Sequence, residues 1–190
     1  VLVEVNEYMP RVHGGSRIHL SEGGAVVENH TPLNEVARST PGPVDELIGQ
    51  KIAAMVPDGA TLQIGVGELP AAVCIFLRDR KDLGIHTEFL CPPMVDLIKA
   101  GAVTGAKKTL HPRRHLFTVA LGDQEMLDIM HDNPAFESYP VSYTNHPAVI
   151  AQNDNLMSIN SVIEVDLSGQ CNAEFLGGHQ FSGSGGQLDF

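Results

Sequence analysis

From residue 45 onward the chain repeats one pattern that constrains its fold more than any single motif: a short apolar run, a glycine or proline turn, then apolar residues at helical spacing. Residues 45–56 read as a helix with Asp45 as N-cap, stopped by Pro57-Asp58-Gly59. Thr61-Leu62-Gln63-Ile64 is then a strand that runs straight into Gly65-Val66-Gly67. Pro70 follows in the first turn of a helix through Leu77, where a missing N–H is harmless. Residues 83–87 form the next strand and 92–100 the next helix. A buried strand is expected over 116–121 and a helix over 123–130. A short helix at 147–152 precedes strands at 158–167 and 171–175, joined by a hairpin-like turn at Ser168-Gly169-Gln170. Strands alternating with helices predict an α/β fold with a largely parallel sheet flanked by helices. In such folds ligands gather where strands end and helices begin.

The first part is different. Val1 to Val5 alternates like a strand, and short apolar segments follow between Gly14-Gly15 and Gly23-Gly24. Pro32, Pro41 and Pro43, with Ser39, Thr40 and Gly42, then mark a connection, so a boundary is placed near residue 40, separating 1–40 from 41–190. The start of the chain carries neither an initiator Met nor a signal-peptide pattern, which reads as a chain cut from something longer.

A length of 190 residues with 43% hydrophobic content is enough to bury a core. The longest apolar runs fall far short of a membrane-spanning helix, and no membrane association is expected. A formal net charge of −11 argues against nucleic-acid binding, which needs a basic footprint, but leaves room for one anionic ligand. Two basic clusters, Arg78, Arg80 and Lys81, and Lys107, Lys108, Arg113 and Arg114, read first as solvated surface. Cys74, Cys91 and Cys171 are odd in number and widely spaced, which disfavours disulfides and structural zinc and suits a reducing cytoplasm.

Three features bear on chemistry. The run Ser182-Gly183-Ser184-Gly185-Gly186-Gln187 lets backbone N–H groups converge on an oxyanion or phosphate. Gly65-Val66-Gly67-Glu68-Leu69-Pro70 has the context of a dinucleotide loop, but Pro70 stands where a third glycine belongs, leaving a tight turn or another ligand loop. Glu88 is an acid flanked by apolar residues at a strand end, either an ordinary helix-start acid or a functional group. As a nucleophile, a carboxylate attacking a thioester gives an anhydride that can exchange without net hydrolysis. That chemistry develops a negative oxygen, for which glycine-rich turns supply N–H donors. His111 and His115 stand at i, i+4, yet Pro112 spoils the helix and no third ligand has suitable spacing, so no metal site is expected. No Gly-x-Ser-x-Gly elbow stands between a strand and a helix.

The runs at 62–67, 83–88, 95–98, 144–147, 164–170 and 182–187 together resemble the acetyl-CoA hydrolase/transferase family (class I CoA-transferases), and within it the 4-hydroxybutyrate/butyryl CoA-transferase branch. The resemblance spans the whole chain in order. It implies a CoA-transferase-like fold in which 1–40 is the tail of an N-terminal domain with its linker, and 41–190 is a C-terminal catalytic domain incomplete at its end. It also implies that Glu88 is the glutamate that forms a glutamyl-CoA thioester, that Asn145 hydrogen-bonds near the reacting carbonyl, and that the Gly186 N–H contributes to an oxyanion hole. Gly65, Val66, Gly67 and Gly185 become substrate-contacting positions. The implied function is ping-pong transfer of CoA between an acyl-CoA and a small carboxylic acid such as acetate, butyrate or 4-hydroxybutyrate. An acyl-CoA hydrolase with the same glutamate, or an inactive structural fragment, are the alternatives. Coenzyme A thioester enters as substrate, with no tightly bound cofactor, and the full-length protein is expected to be a homo-oligomer. Cys91-Pro92-Pro93 departs from the family's Ser-Asp-Gly-type turn. Only four residues follow Gly186, too few for a helix to hold it, so the terminal loop is expected to be poorly placed.

Overall fold

A computed structural model describes residues Val1–Phe190. In chain order its elements are β1 (Leu2–Val5), β2 (His13–Gly14), β3 (Ala25–Glu28), α1 (Pro43–Met55), β4 (Thr61–Ile64), α2 (Glu68–Phe76), β5 (Gly84–His86), β6 (Phe89–Leu90) and α3 (Pro92–Lys99). There follow β7 (His115–Phe117), β8 (Val119–Ala120), α4 (Gln124–Met130), β9 (Phe136–Ser138), α5 (Val141–Thr144), α6 (Pro147–Ile150), β10 (Leu156–Ile159), β11 (Glu164–Val165), β12 (Cys171–Asn172), β13 (Phe175–Leu176) and β14 (His179–Gln180).

Six strands form one sheet in the order β10-β4-β5-β7-β9-β2, and every adjacent pair is parallel. All residues of β4, β5 and β7 are buried, as inner parallel strands are when crossover helices cover their faces. Leu62, Ile64, Ile85, Met94, Leu97, Phe117, Met126 and Phe136 belong to one buried apolar cluster. Helix α1 packs closely on α2: a Cβ on Gly49 would lie 2.9 Å from the Ala72 Cβ. The expected α/β architecture with a parallel sheet is present. The remaining strands make small pairs, β1 with β3, β6 with β8, β11 with β12 and β13 with β14. No helix is long and apolar enough to cross a membrane.

Several boundaries differ from expectation. Gly42, not Asp45, is the N-cap of α1. Pro43 occupies the first helical position, and Asp45 accepts the Gly42 N–H from the third at 3.0 Å. The expected strand at 116–121 breaks at Thr118 into β7 and β8. The expected strand at 158–167 ends at Ile159, and Glu164–Val165 belongs instead to a hairpin. That hairpin does turn at Ser168-Gly169-Gln170, where the Asp166 carboxylate accepts the N–H groups of Ser168 at 2.8 Å and Gln170 at 2.9 Å. β9 went unforeseen because three residues, two of them polar, carry no readable period.

Residues before 40 also meet the sheet. His13 and Gly14 pair with Glu137 and Ser138 of β9, and Arg38 donates to Asp96, Asp123 and Glu125 at 2.8, 2.6 and 2.9 Å. Lys108, from a cluster read as solvated, is buried. Its ammonium donates to the carbonyls of Ile85 and Arg114, both at 2.8 Å, and burial pushes its pKa down to about 7.

Candidate active site

Strands β5 and β7 are both interrupted at their C-terminal ends, Glu88 lying between β5 and β6 and Thr118 between β7 and β8. The Glu88 carbonyl accepts two consecutive amides, Thr118 N–H at 3.0 Å and Val119 N–H at 2.9 Å. Two residues facing one is the arrangement of a bulge, a device that re-aims a side chain at a strand end. The residue before Glu88 is also secured, since the Thr87 hydroxyl donates to the Phe89 carbonyl at 3.1 Å. Glu88 thus stands half-buried on a fixed backbone at the carboxyl edge of the sheet.

Two distant segments converge on its carboxylate. Asn145, just after α5, donates from Nδ2 to Glu88 Oε2 at 2.7 Å. A carboxylate can only accept, so this bond orients the amide. Asn145 is buried and its Oδ1 is without a partner. From the chain end, Gly186 comes so close that a Cβ there would overlap both Glu88 Oε2 and Asn145 Nδ2, and would lie 3.1 Å from the Glu88 carboxyl carbon. Only glycine fits at 186. The expectation of a poorly placed terminal loop is therefore corrected: the run folds into turns, Asp189 N–H bonding the Gly186 carbonyl at 3.1 Å, and packs against Glu88.

In front of Glu88 lies a cavity of about 360 Å³, walled by Gly65, Val66, Phe89, Leu121, Gly185 and Gly186. Gly67 stands outside this lining. It caps α2 at φ +136°, a backbone region where a side chain is strained, so it shapes the turn that presents Gly65 and Val66. At one side of the cavity are Gln63 and Asn160, whose amides bond reciprocally at 3.0 and 2.8 Å. Ser158 donates to Gln63 at 2.6 Å. This polar lattice was missed from the sequence, although a glutamine between Leu62 and Ile64 in strand β4 signals a buried polar partner. A second cavity of about 490 Å³, lined among others by Met9, Val12, Leu33, Phe117 and Met130, shares Leu121 with the first. It contains none of the expected site residues.

Cys91 is the N-cap of α3, and Pro92 and Pro93 fill its first positions, where proline starts a helix without losing a hydrogen bond. Cys91 and Cys74 are buried, and burial pushes the Cys91 thiol up to about 11. His111 and His115 do not converge: His111 pairs with Glu137 at 3.0 Å, while buried His115 meets the edge of Phe136.

The family model for the acetyl-CoA hydrolase/transferase C-terminal domain matches residues 122–190. The chain is 45% identical over its whole length to 4-hydroxybutyrate coenzyme A transferase of Clostridium kluyveri. It is 46% identical, again throughout, to succinyl-CoA:cyclohexane-1-carboxylate CoA transferase of Geobacter metallireducens. Among solved structures it resembles RipA from Yersinia pestis, with a TM-score of 0.92 and 55% identity over 100% of this chain and 43% of that one. A 4-hydroxybutyrate CoA-transferase from Porphyromonas gingivalis matches 90% of this chain and 43% of its own, with a TM-score of 0.86 and 41% identity. Residues 122–190 thus match the acetyl-CoA hydrolase/transferase C-terminal domain, and the whole chain is similar to CoA transferases. The chain spans 44% of the length of each of the two curated relatives named.

Proposed function

We propose that the protein to which this chain belongs transfers CoA between an acyl-CoA and a small carboxylic acid through a thioester on Glu88. The observation that carries the reading is the convergence of Asn145 and Gly186 on the Glu88 carboxylate at the mouth of a cavity. The names of the relatives, 4-hydroxybutyrate coenzyme A transferase, succinyl-CoA:cyclohexane-1-carboxylate CoA transferase and butyryl-CoA:acetate CoA-transferase, agree with it.

In this reading Glu88 attacks the thioester carbonyl, forming a C–O bond, and the C–S bond breaks to expel CoA thiolate. The thiolate then attacks the Glu88 carbonyl of the resulting anhydride, releasing the first carboxylate and leaving glutamyl-CoA. A second carboxylate attacks that thioester, and the same steps in reverse deliver the new acyl-CoA and restore Glu88. Asn145 Nδ2 orients the attacking carboxylate, and the Gly186 N–H faces the oxyanion of the tetrahedral stage. Gly65, Val66, Gly67 and Gly185 form the wall and turn beside the acyl group. Binding the remote part of CoA would help drive these steps. Residues 1–40 are assigned to the tail of a preceding domain with its linker, and 41–190 to the catalytic domain. We place the protein in the cytoplasm, in keeping with three unpaired cysteines, and expect the full-length form to self-associate.

The test is mass spectrometry of the full-length protein treated with acyl-CoA and borohydride. Reduction at Glu88 is expected; unmodified Glu88 alongside full turnover would sink the proposal. Because the matched family also bears the name hydrolase, CoA release is measured with and without an added carboxylate. A transferase stalls without an acceptor, whereas a hydrolase does not.

A further inference from the structure

Asn145 must hold its amide on Glu88, yet its own surroundings are weak. It follows α5, four residues long, and precedes α6, also four residues long, and helices this short do not sustain themselves. What secures the segment comes from the sheet. His86, fully buried at the end of β5, makes a 2.8 Å bond through Nε2 to the carbonyl of Thr144, the peptide unit that leads directly into Asn145. Its Nδ1 is 3.0 Å from Asn153 Nδ2. The Asn153 amide is itself oriented, because Nδ2 also donates to the Ile150 carbonyl at 3.2 Å. Nδ1 therefore accepts, Nε2 carries the proton, and the imidazole is neutral. The ring edge also meets Phe190, with centroids 6.0 Å apart, so the terminal segment that carries Gly186 closes over the same histidine.

We propose that His86 is the positioning residue of this site: it pins the Thr144–Asn145 peptide to the strand that leads into Glu88, so that the amide and the carboxylate keep a fixed separation. His86 closes β5 and Glu88 follows two residues on in the same stretch of chain, whose Thr87 hydroxyl and Glu88 carbonyl are both hydrogen-bonded. Nucleophile and orienting amide are thereby referenced to a single backbone segment. Burial favours the same protonation state, drawing the imidazole pKa down to about 4 against the opposing effect of the bond to the Thr144 carbonyl. The inference rests on the reading of Glu88 as nucleophile.

The experiment uses the full-length protein and a double-mutant cycle on kcat. His86→Phe keeps the ring volume but loses both hydrogen bonds; His86→Gln can still reach the Thr144 carbonyl. His86→Phe is expected to lower kcat roughly 10- to 100-fold, the effect of misplacing one charge-assisted hydrogen bond, with KM for acyl-CoA little changed. His86→Gln should recover most of the loss. In an Asn145→Ala background, His86→Phe should have almost no further effect, since the group it positions is gone. Should His86→Phe not fold, His86→Asn, which keeps an acceptor near Nδ1 but cannot reach Thr144, takes its place in the cycle. Full kcat in the single variant, or an undiminished loss in the Asn145→Ala background, overturns the proposal. The borohydride adduct is scored in parallel. Its absence from the wild type overturns the reading of Glu88 and this inference with it, whereas its presence without coupling between His86 and Asn145 overturns only the positioning role.

Discussion

A single methyl group on Gly186 should silence the site while leaving the fold alone. In Gly186→Ala the new Cβ has nowhere to go, because the positions of Glu88 Oε2 and Asn145 Nδ2 both fall inside its radius. Either the terminal loop withdraws or the 2.7 Å bond between Asn145 and Glu88 opens. A hydrogen bond to a charged group is worth about 1.5–3 kcal/mol, which corresponds to roughly a 10- to 150-fold loss in rate if it serves the transition state. The loop lies outside the buried core, so unfolding free energy should change by about 0.5 kcal/mol or less. Gly183 provides the control: it belongs to the same run, yet a Cβ there meets nothing within 4 Å. Steady-state kcat of full-length Gly186→Ala and Gly183→Ala, with denaturant unfolding of both, completes the assay. Full activity in Gly186→Ala, or an equal loss in Gly183→Ala, would refute the steric reasoning.

Two further outcomes concern stability. His86 and His115 are both held near pKa 4, mainly by burial. Between about pH 6.5 and 4 the unfolded chain binds protons that the native one refuses, so stability should fall with pH by about 1.4 kcal/mol per unit for each histidine; a flat profile across that window would show that neither is buried neutral. Gly49→Ala drives a Cβ to within 2.9 Å of the Ala72 backbone and side chain, and should cost about 1–3 kcal/mol in an unfolding titration. An unchanged midpoint would mean that α1 and α2 separate more readily than their packing implies.

Much of the architecture follows from local sequence. Apolar runs that lead into glycine or proline turns account for β4, α2, β5 and α3 nearly to the residue, because burial, turn geometry and helix initiation are decided within a few positions. Asp123 likewise caps α4 by accepting the Met126 N–H at 3.0 Å. Where the pattern misled, a long-range partner was responsible. The run at 116–121 looks like one strand until its amides are seen to share the Glu88 carbonyl, and β9 exists only because it pairs with β7 and β2, as β2 does only because it pairs with β9.

Glu88, Asn145 and Gly186 could be nominated from the sequence through family resemblance and the chemistry of an isolated acid beside glycine-rich turns. Their meeting could not, because contacts among residues this far apart in the chain depend on how the sheet orders its strands. Tertiary structure alone decided that Gly186 fits only as glycine, that Gln63 and Asn160 close one side of the cavity, and that Lys108 is buried. The same holds for His86. In the sequence it is one polar letter in an apolar strand, and it acquires a task only when the fold brings the carbonyl of Thr144 within 2.8 Å. Periodicity and turn chemistry are local properties that a sequence carries on its face, whereas the separation between a carboxylate and the amide that orients it is set by packing among segments far apart in the chain.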